Sequence, residues 1–259
     1  MKKLILASAI ASAFAAQGAY AADAAPAATP EHQITYTVTA TSDYRFRGIS
    51  QTQKEAALQF AADYTHSPTG LYFGAFASNV KWVKANAITA GSDATAPVEI
   101  DLYGGLRGDI GSSGFTFDVG AIQYFYPGEK LKTTSLARAA NTSEVYGQIG
   151  FGPAYAKYSY SLTDTFATGD KGSFYIDTGI NYPLSEKLTL NAHIGHQTYK
   201  GTGSVNYNYE DFKLGVTNDF GYFSGSVAYI GTNAIHSNYL WNNTSVTKDA
   251  IVFSAAKTF

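Results

Sequence analysis

From Thr35 onward the chain is a succession of short segments in which apolar and polar side chains alternate. Successive side chains of a strand point to opposite faces, so each segment reads as a strand with one apolar and one polar side. In the stretch TYTVTATSDYRFRGISQT, Tyr36, Val38, Ala40, Ser42, Tyr44 and Phe46 share one face. Thr35, Thr37, Thr39, Thr41, Asp43, Arg45 and Arg47 share the other. Segments 56–65, 98–110, 115–126, 144–151, 154–162, 173–182, 188–199, 211–220, 223–230 and 250–259 repeat the pattern. Segment 71–80 carries aromatics in both phases. The total is about twelve strands, an even number, as bacterial outer-membrane barrels require.

The connections alternate in length. Short ones lie at 67–70, 111–114, 152–153, 183–187 and 221. Long polar ones lie at 48–54, 81–97, 127–142, 163–171, 200–206 and 231–248. Gly and Pro at the short connections supply the backbone angles of tight hairpins. Short periplasmic turns, long extracellular loops and two periplasmic termini define an outer-membrane barrel. A soluble sandwich has no reason to sort loop length by side. The expected fold is therefore all-β: an antiparallel up-and-down transmembrane barrel of about twelve strands, with the apolar phase in lipid and the polar phase in the lumen.

The amino-terminal segment agrees with that destination. Lys2 and Lys3 precede an apolar run from Leu4 to Ala16, and Ala19-Tyr20-Ala21 fits a small-x-small cleavage site. Residues 1–21 read as a secretory signal peptide, shorter in its apolar core than the roughly 20 residues a membrane helix needs. No later run is long and apolar enough to span as a helix. Residues 22–33 begin Ala/Pro-rich and read as a flexible periplasmic lead-in, with the barrel from 34 to 259. Cleavage after Ala21 leaves 16 basic against 20 acidic residues, a formal charge of −4. That mild acidity and the lack of a basic patch argue against nucleic acid. The chain has no Cys, which excludes a disulfide scaffold, a Cys-anchored lipoprotein and a thiolate metal site. The mean hydropathy of −0.12 is compatible with a membrane barrel, which dilutes its apolar residues at every second position.

Twenty Tyr and sixteen Phe, many near strand ends, suit aromatic girdles at both membrane interfaces. Ile251, Phe253 and Ala255 share a phase with the terminal Phe259. Such a strand resembles the signal by which the barrel-assembly machinery recognises its clients. That machinery, outer-membrane lipids and small solutes are the expected partners.

Several motifs occur in a fixed order: Arg47-Gly48-Ile49-Ser50-Gln51-Thr52, Asp63-Tyr64-Thr65-His66, Ser78-Asn79-Val80, Asp101-Leu102-Tyr103-Gly104-Gly105, Tyr124-Phe125-Tyr126-Pro127, Glu144-Val145-Tyr146-Gly147 and Lys257-Thr258-Phe259. Together they resemble the TorF-family porins of proteobacteria, also described as the Gcw_chp family. The resemblance spans nearly the whole mature chain. It implies an outer-membrane channel, with no catalytic or ligand residues to carry over.

The polar phase supplies the candidate lumen and selectivity residues: Asp43, Arg45, Arg47, Asp63, Glu99, Asp101, Arg107, Glu144, Lys157 and Asp177. Asp109, Asp118, Lys213 and Asp219 share that phase, and acids outnumber bases in it. Rings of charge set ion selectivity, so cations are expected to be favoured. Arg45 and Arg47 are expected to pair with Glu99 and Asp101 while lining a constriction near the outer mouth. About twelve strands ~4.8 Å apart and tilted ~40° enclose a backbone cylinder of roughly 25 Å, wide enough for a small hydrophilic solute after side chains are subtracted if no loop folds in. The function expected is passive diffusion of small hydrophilic solutes or ions through an integral outer-membrane porin-like channel.

A plugged structural or adhesive barrel is the main alternative, since charged networks could close the interior. An outer-membrane hydrolase fits less well. His193 and His196 fall on opposite faces of one strand, and Ser161 and Asp164 lie near a loop without a nucleophile-elbow sequence. No enzymatic activity, cofactor or metal is expected.

Overall fold

Alternation becomes a closed sheet in the computed structural model, which describes residues 30–89, 95–129 and 138–259. The strands are β1 (His32–Thr41), β2 (Arg45–Phe46), β3 (Ile49–Ser50), β4 (Ala57–His66), β5 (Leu71–Asn79), β6 (Val98–Asp109), β7 (Phe115–Phe125) and β8 (Thr142–Phe151). They continue with β9 (Ala154–Ser161), β10 (Asp170–Pro183), β11 (Leu188–Lys200), β12 (Tyr209–Asp219), β13 (Ser224–Thr232), β14 (Leu240–Trp241), β15 (Thr244–Ser245) and β16 (Ala250–Thr258). Twelve of them form one closed barrel in the order β1-β16-β13-β12-β11-β10-β9-β8-β7-β6-β5-β4. Every pairing is antiparallel between neighbours along the barrel wall, and β1 closes the ring on β16 with Thr37 opposite Thr258. The two small ribbons β2–β3 and β14–β15 stand apart from this wall. The signal-peptide segment, residues 1–21, lies outside the described residues. β1 begins at His32, so the strand takes in the last two residues assigned to the lead-in.

The outward phase is apolar around the whole barrel. Tyr36, Phe60, Leu102, Val119, Ile194, Leu214 and Ile251 are all exposed large hydrophobics. A continuous exposed band of this kind marks a surface that faces lipid rather than water. At the rim bearing the short turns, aromatic pairs ring the outside: Tyr64 with Phe73, Phe115 with Phe151, and Phe220 with Phe223, at centroid distances of 4.6, 4.7 and 5.0 Å. Both ends of the barrel sequence, at β1 and β16, lie at this same rim, where Phe259 N donates to Tyr36 O at 2.9 Å. The ambiguity of segment 71–80 has a physical cause. Leu71 and Phe73 face outward, while Tyr72 and Phe76 are buried inside.

One element departs from the reading of the sequence. The first strand does not continue through Phe46 and Arg47 but ends at Thr41. Residues 42–56 turn into the barrel, and Tyr44, expected on the lipid-facing phase, is 4% exposed and inside. The turn is fixed locally. Asp43 accepts hydrogen bonds from Ser50 Oγ at 2.6 Å, Thr52 Oγ1 at 3.3 Å and Arg45 Nε at 2.8 Å. At the tip of the β2–β3 hairpin, Arg47 and Gly48 have φ of 48° and 79°. Two central residues at positive φ are the signature of a type I′ turn, whose twist matches a two-residue hairpin.

Candidate channel lumen

The hairpin crosses the barrel. It leaves the wall between β1 and β4, and its tip reaches β8, on the far side of the ring. Arg47 Nη2 donates to Glu144 Oε2 at 2.6 Å and Nη1 donates to Glu144 Oε1 at 3.1 Å, a bidentate pair with both side chains buried. Nη1 also donates to Gln197 Oε1 on β11 at 2.8 Å. The guanidinium carbon lies 4.7 Å from the Phe46 ring centroid and 4.4 Å from that of Tyr175. Gly48 packs so closely against β12 that an added Cβ would meet Asp211 Cβ at 2.6 Å. The hairpin is thus built for contact with three opposing strands.

Above it, the described parts of the loops after β5, β9 and β13 pack over the lumen. The helix α1 (Trp82–Thr89) follows β5. The backbone amides of Lys81 and Trp82 donate to Gln51 O at 2.8 and 3.1 Å. Trp82 packs edge-on to Tyr126 at 5.0 Å and tilted to Trp241 at 5.8 Å. Gln53 Nε2 donates to Trp241 O at 3.0 Å. Phe166 packs edge-on against Phe46 and Tyr124 at 5.3 and 5.0 Å. An aromatic cover therefore ties the loops after β5, β9 and β13 to the inserted hairpin.

Under the cover, the wall is polar and charged. Glu99 accepts from Tyr44 Oη at 2.5 Å and Tyr126 Oη at 2.6 Å. Burial, then the neighbouring Glu99 carboxylate, push both phenols well above their ordinary pKa, which keeps them as donors. Nearer the short-turn rim, Tyr103 Oη donates to Asp63 at 2.5 Å and Arg107 Nη2 to Thr65 Oγ1 at 2.9 Å. Tyr72 Oη meets Asp118 and Tyr146 Oη, each at 2.5 Å. Lys157 Nζ sits 4.1 Å above the Tyr146 ring. On the adjoining strands, His193 Nδ1 lies 3.1 Å from Asp177 Oδ1, and its Nε2 lies 3.6 Å from Asp211 Oδ2. Tyr175 Oη donates to Asp211 Oδ1 at 2.9 Å.

The wall opposite these charges is made of small residues. Gly215, Ser224, Ser226, Ala228, Ser254 and Ala256 leave a cavity of about 60 Å³ between β12, β13, β16, β1 and the hairpin base. Asp43, Arg45 and Lys213 contribute its charged lining. It has room for a few water molecules and not for a sugar.

All ten residues expected in the lumen lie inside the barrel. Asp63, Glu99, Asp101, Arg107, Glu144, Lys157 and Asp177 are on the wall strands. Asp43, Arg45 and Arg47 are on the inserted loop instead. The expected pairing of Arg45 and Arg47 with Glu99 and Asp101 is not formed. Arg45 pairs with Asp43 and Arg47 with Glu144, because folding inward carries the hairpin tip past β6 to β8. Gln197, Asp211 and Tyr175 were not singled out from the sequence, although each occupies the inward phase of its strand. His193 is inward and His196, 3.7 Å from Glu210, is outward and partly exposed. Ser161 Oγ donates to Glu144 Oε1 at 3.2 Å, and Asp164 accepts from the Ala139 amide at 3.2 Å.

A closed twelve-strand antiparallel barrel, apolar outside and charged within, defines a β-barrel of the outer-membrane porin fold. Residues 24–259 match the family described as "Bacterial protein of unknown function (Gcw_chp)", and the chain belongs to that family. The description assigns no activity, and the TorF designation goes beyond it. No curated protein matches the chain. Among solved structures, the chain is similar to the KdgM porin at TM-score 0.50 and 5% identity, covering 87% of this chain and 97% of that one. It is also similar to the KdgM porin in complex with disordered oligogalacturonate (TM-score 0.48, 6% identity, 87% and 97% covered). The NanC porin gives TM-score 0.49 at 6% identity, with 88% and 99% covered. At such identities the likeness concerns the fold alone.

Proposed function

We propose that this protein is an outer-membrane channel for small hydrophilic solutes or ions, closed in this conformation by its first loop. It is exported by the signal peptide at residues 1–21 and inserted by the barrel-assembly machinery through the strand ending at Phe259. The short-turn rim faces the periplasm and the aromatic cover faces outside.

The observation that carries the reading is the incomplete satisfaction of the interior. Arg45 Nη2 and Asp101 Oδ1 are buried without a hydrogen-bond partner among the described residues. A lumen evolved only to be filled would pair such atoms, since each unpaired one costs about 1–3 kcal/mol. A lumen that admits water and solute supplies partners when it opens. The excess of Asp and Glu over Arg and Lys on the inward phase favours cations. The residues expected to set that preference are Asp63, Glu99, Asp101, Arg107, Glu144, Lys157 and Asp177 on the wall and Asp43, Arg45 and Arg47 on the hairpin. The role is non-enzymatic.

A permanently plugged barrel is the second reading, favoured by the bidentate Arg47–Glu144 anchor. Planar-bilayer recording separates the two. The channel reading expects brief openings from the intact protein and steady cation-preferring current from a variant whose residues 44–51 are replaced by a short Gly/Ser linker. Silence from both proteins, each shown to be folded, would overturn it.

A further inference from the structure

At the short-turn rim, on the outside of the barrel and away from the lumen, three side chains converge. His32 of β1 and His66 of β4 are direct register partners, 34 positions apart in sequence. Their ring centroids are 5.2 Å apart. Glu31 completes the group, held in place because its carbonyl accepts from the Ser67 amide at 2.8 Å, while Ser67 Oγ donates to the Pro30 carbonyl at 2.7 Å. One potential ligand atom from each of Glu31, His32 and His66 can be chosen so that all three lie within 4.8 Å of one another.

The orientation of the rings is informative. His66 Nε2 is 3.3 Å and His32 Nε2 is 3.8 Å from the same atom, Glu31 Oε1. The other nitrogen of each ring is engaged by a hydroxyl: His32 Nδ1 by Tyr64 Oη at 2.8 Å, and His66 Nδ1 by Thr69 Oγ1 at 2.7 Å. A histidine that binds metal through Nε2 commonly has its Nδ1–H held by such an outer partner, which fixes ring orientation and tautomer. Ligands at about 2.1 Å from a tetrahedral ion stand about 3.4 Å apart, close to the spacings already present. Small rotations, chiefly of the exposed Glu31 and His32 side chains, close the remainder.

We propose that Glu31, His32 and His66 form a binding site for a borderline divalent transition-metal ion of the zinc type, with water completing its coordination. Two imidazoles and one carboxylate suit zinc, nickel or copper and are poor for calcium or magnesium. The ion takes the place of the direct contact between Glu31 Oε1 and His66 Nε2. It occupies only the folded barrel, because strand pairing alone brings His32 to His66. It therefore clips the start of β1 to the first turn and stabilises the barrel by mass action.

Zinc chloride titrated calorimetrically into the detergent-folded protein, made without a polyhistidine tag, tests this. One zinc per barrel is expected, together with an upward shift of the heat-modification temperature that EDTA reverses. His66→Ala and His32→Ala should each lose both effects while still folding. Thr69→Val keeps all three ligands and should weaken binding by about tenfold through the freed Nδ1. His196→Ala, on the outward phase near Glu210, should bind as the parent does. No zinc uptake by the parent, or uptake unchanged in His66→Ala, would overturn the proposal.

Discussion

Arg47 and Glu144 lie 97 residues apart in sequence and meet across the full width of the barrel in a buried bidentate pair. The contact joins the first loop to the far wall. It is a charge-assisted tie of two hydrogen bonds between the hairpin and the wall it crosses to.

Removing one member leaves the other charge buried and unpaired, at a cost of about 3–5 kcal/mol. That cost falls on the hairpin, because the strand ladder of the barrel does not run through it. Arg47→Ala should therefore fold to a heat-modifiable barrel, raise open probability in bilayers, and accelerate amide exchange in residues 43–52 more than in β1 or β4. Loss of the folded barrel would show instead that the pair supports the wall.

Gly48 offers an independent route to the same state. Its φ of 79° is unfavourable for a side chain, and an added Cβ would meet Asp211 Cβ at 2.6 Å. Gly48→Val should unseat the tip without altering any charge. Conductance should rise as in Arg47→Ala, with selectivity between small cations and anions left as in the hairpin-free channel.

Selectivity should follow the wall charges. Asp101 and Asp118 are both inside and acidic, whereas Lys213 lines the cavity beside the small-residue wall. In a hairpin-free background, Asp101→Asn should lower the cation-to-anion permeability ratio and Lys213→Gln should raise it. Reversal potentials under a salt gradient measure both. The differences should shrink at high ionic strength, where charges are screened over about 3 Å at 1 M salt.

Lipid-facing and lumen-facing positions should differ sharply in tolerance. Leu102, 58% exposed near the middle of β6, points outward beside the inward Asp101. Leu102→Arg should cost about 2–4 kcal/mol of folding free energy in vesicles. Leu102→Phe should be close to neutral. Equilibrium refolding into lipid, read by heat-modifiability, provides the comparison.

The barrel itself was legible in the residues. A period of two fixes which side chains face outward and which inward, and the alternation of short and long connections separates a short-turn rim from a long-loop rim. Tyr36 outward with Thr39 inward, or Leu102 outward with Asp101 inward, needs no knowledge of any other strand. Even the two-phase aromatics of β5 were visible as an anomaly, although their cause, inward partners for Tyr72 and Phe76, was not.

What the sequence alone left undecided was where the first strand stops. Ser42 to Arg47 continues the same alternation that precedes it, so nothing in the local period announces that the chain leaves the wall. The tertiary structure decided this through partners contributed from far along the chain: Glu99, Glu144, Gln197 and the surface of Asp211. A run of charges on a strand and the same run on an inserted hairpin are locally alike. Only a closed barrel places Glu99 within reach of Tyr44, and Glu144 and Gln197 within reach of Arg47, and that placement turned an expected pore wall into the element that crosses the pore.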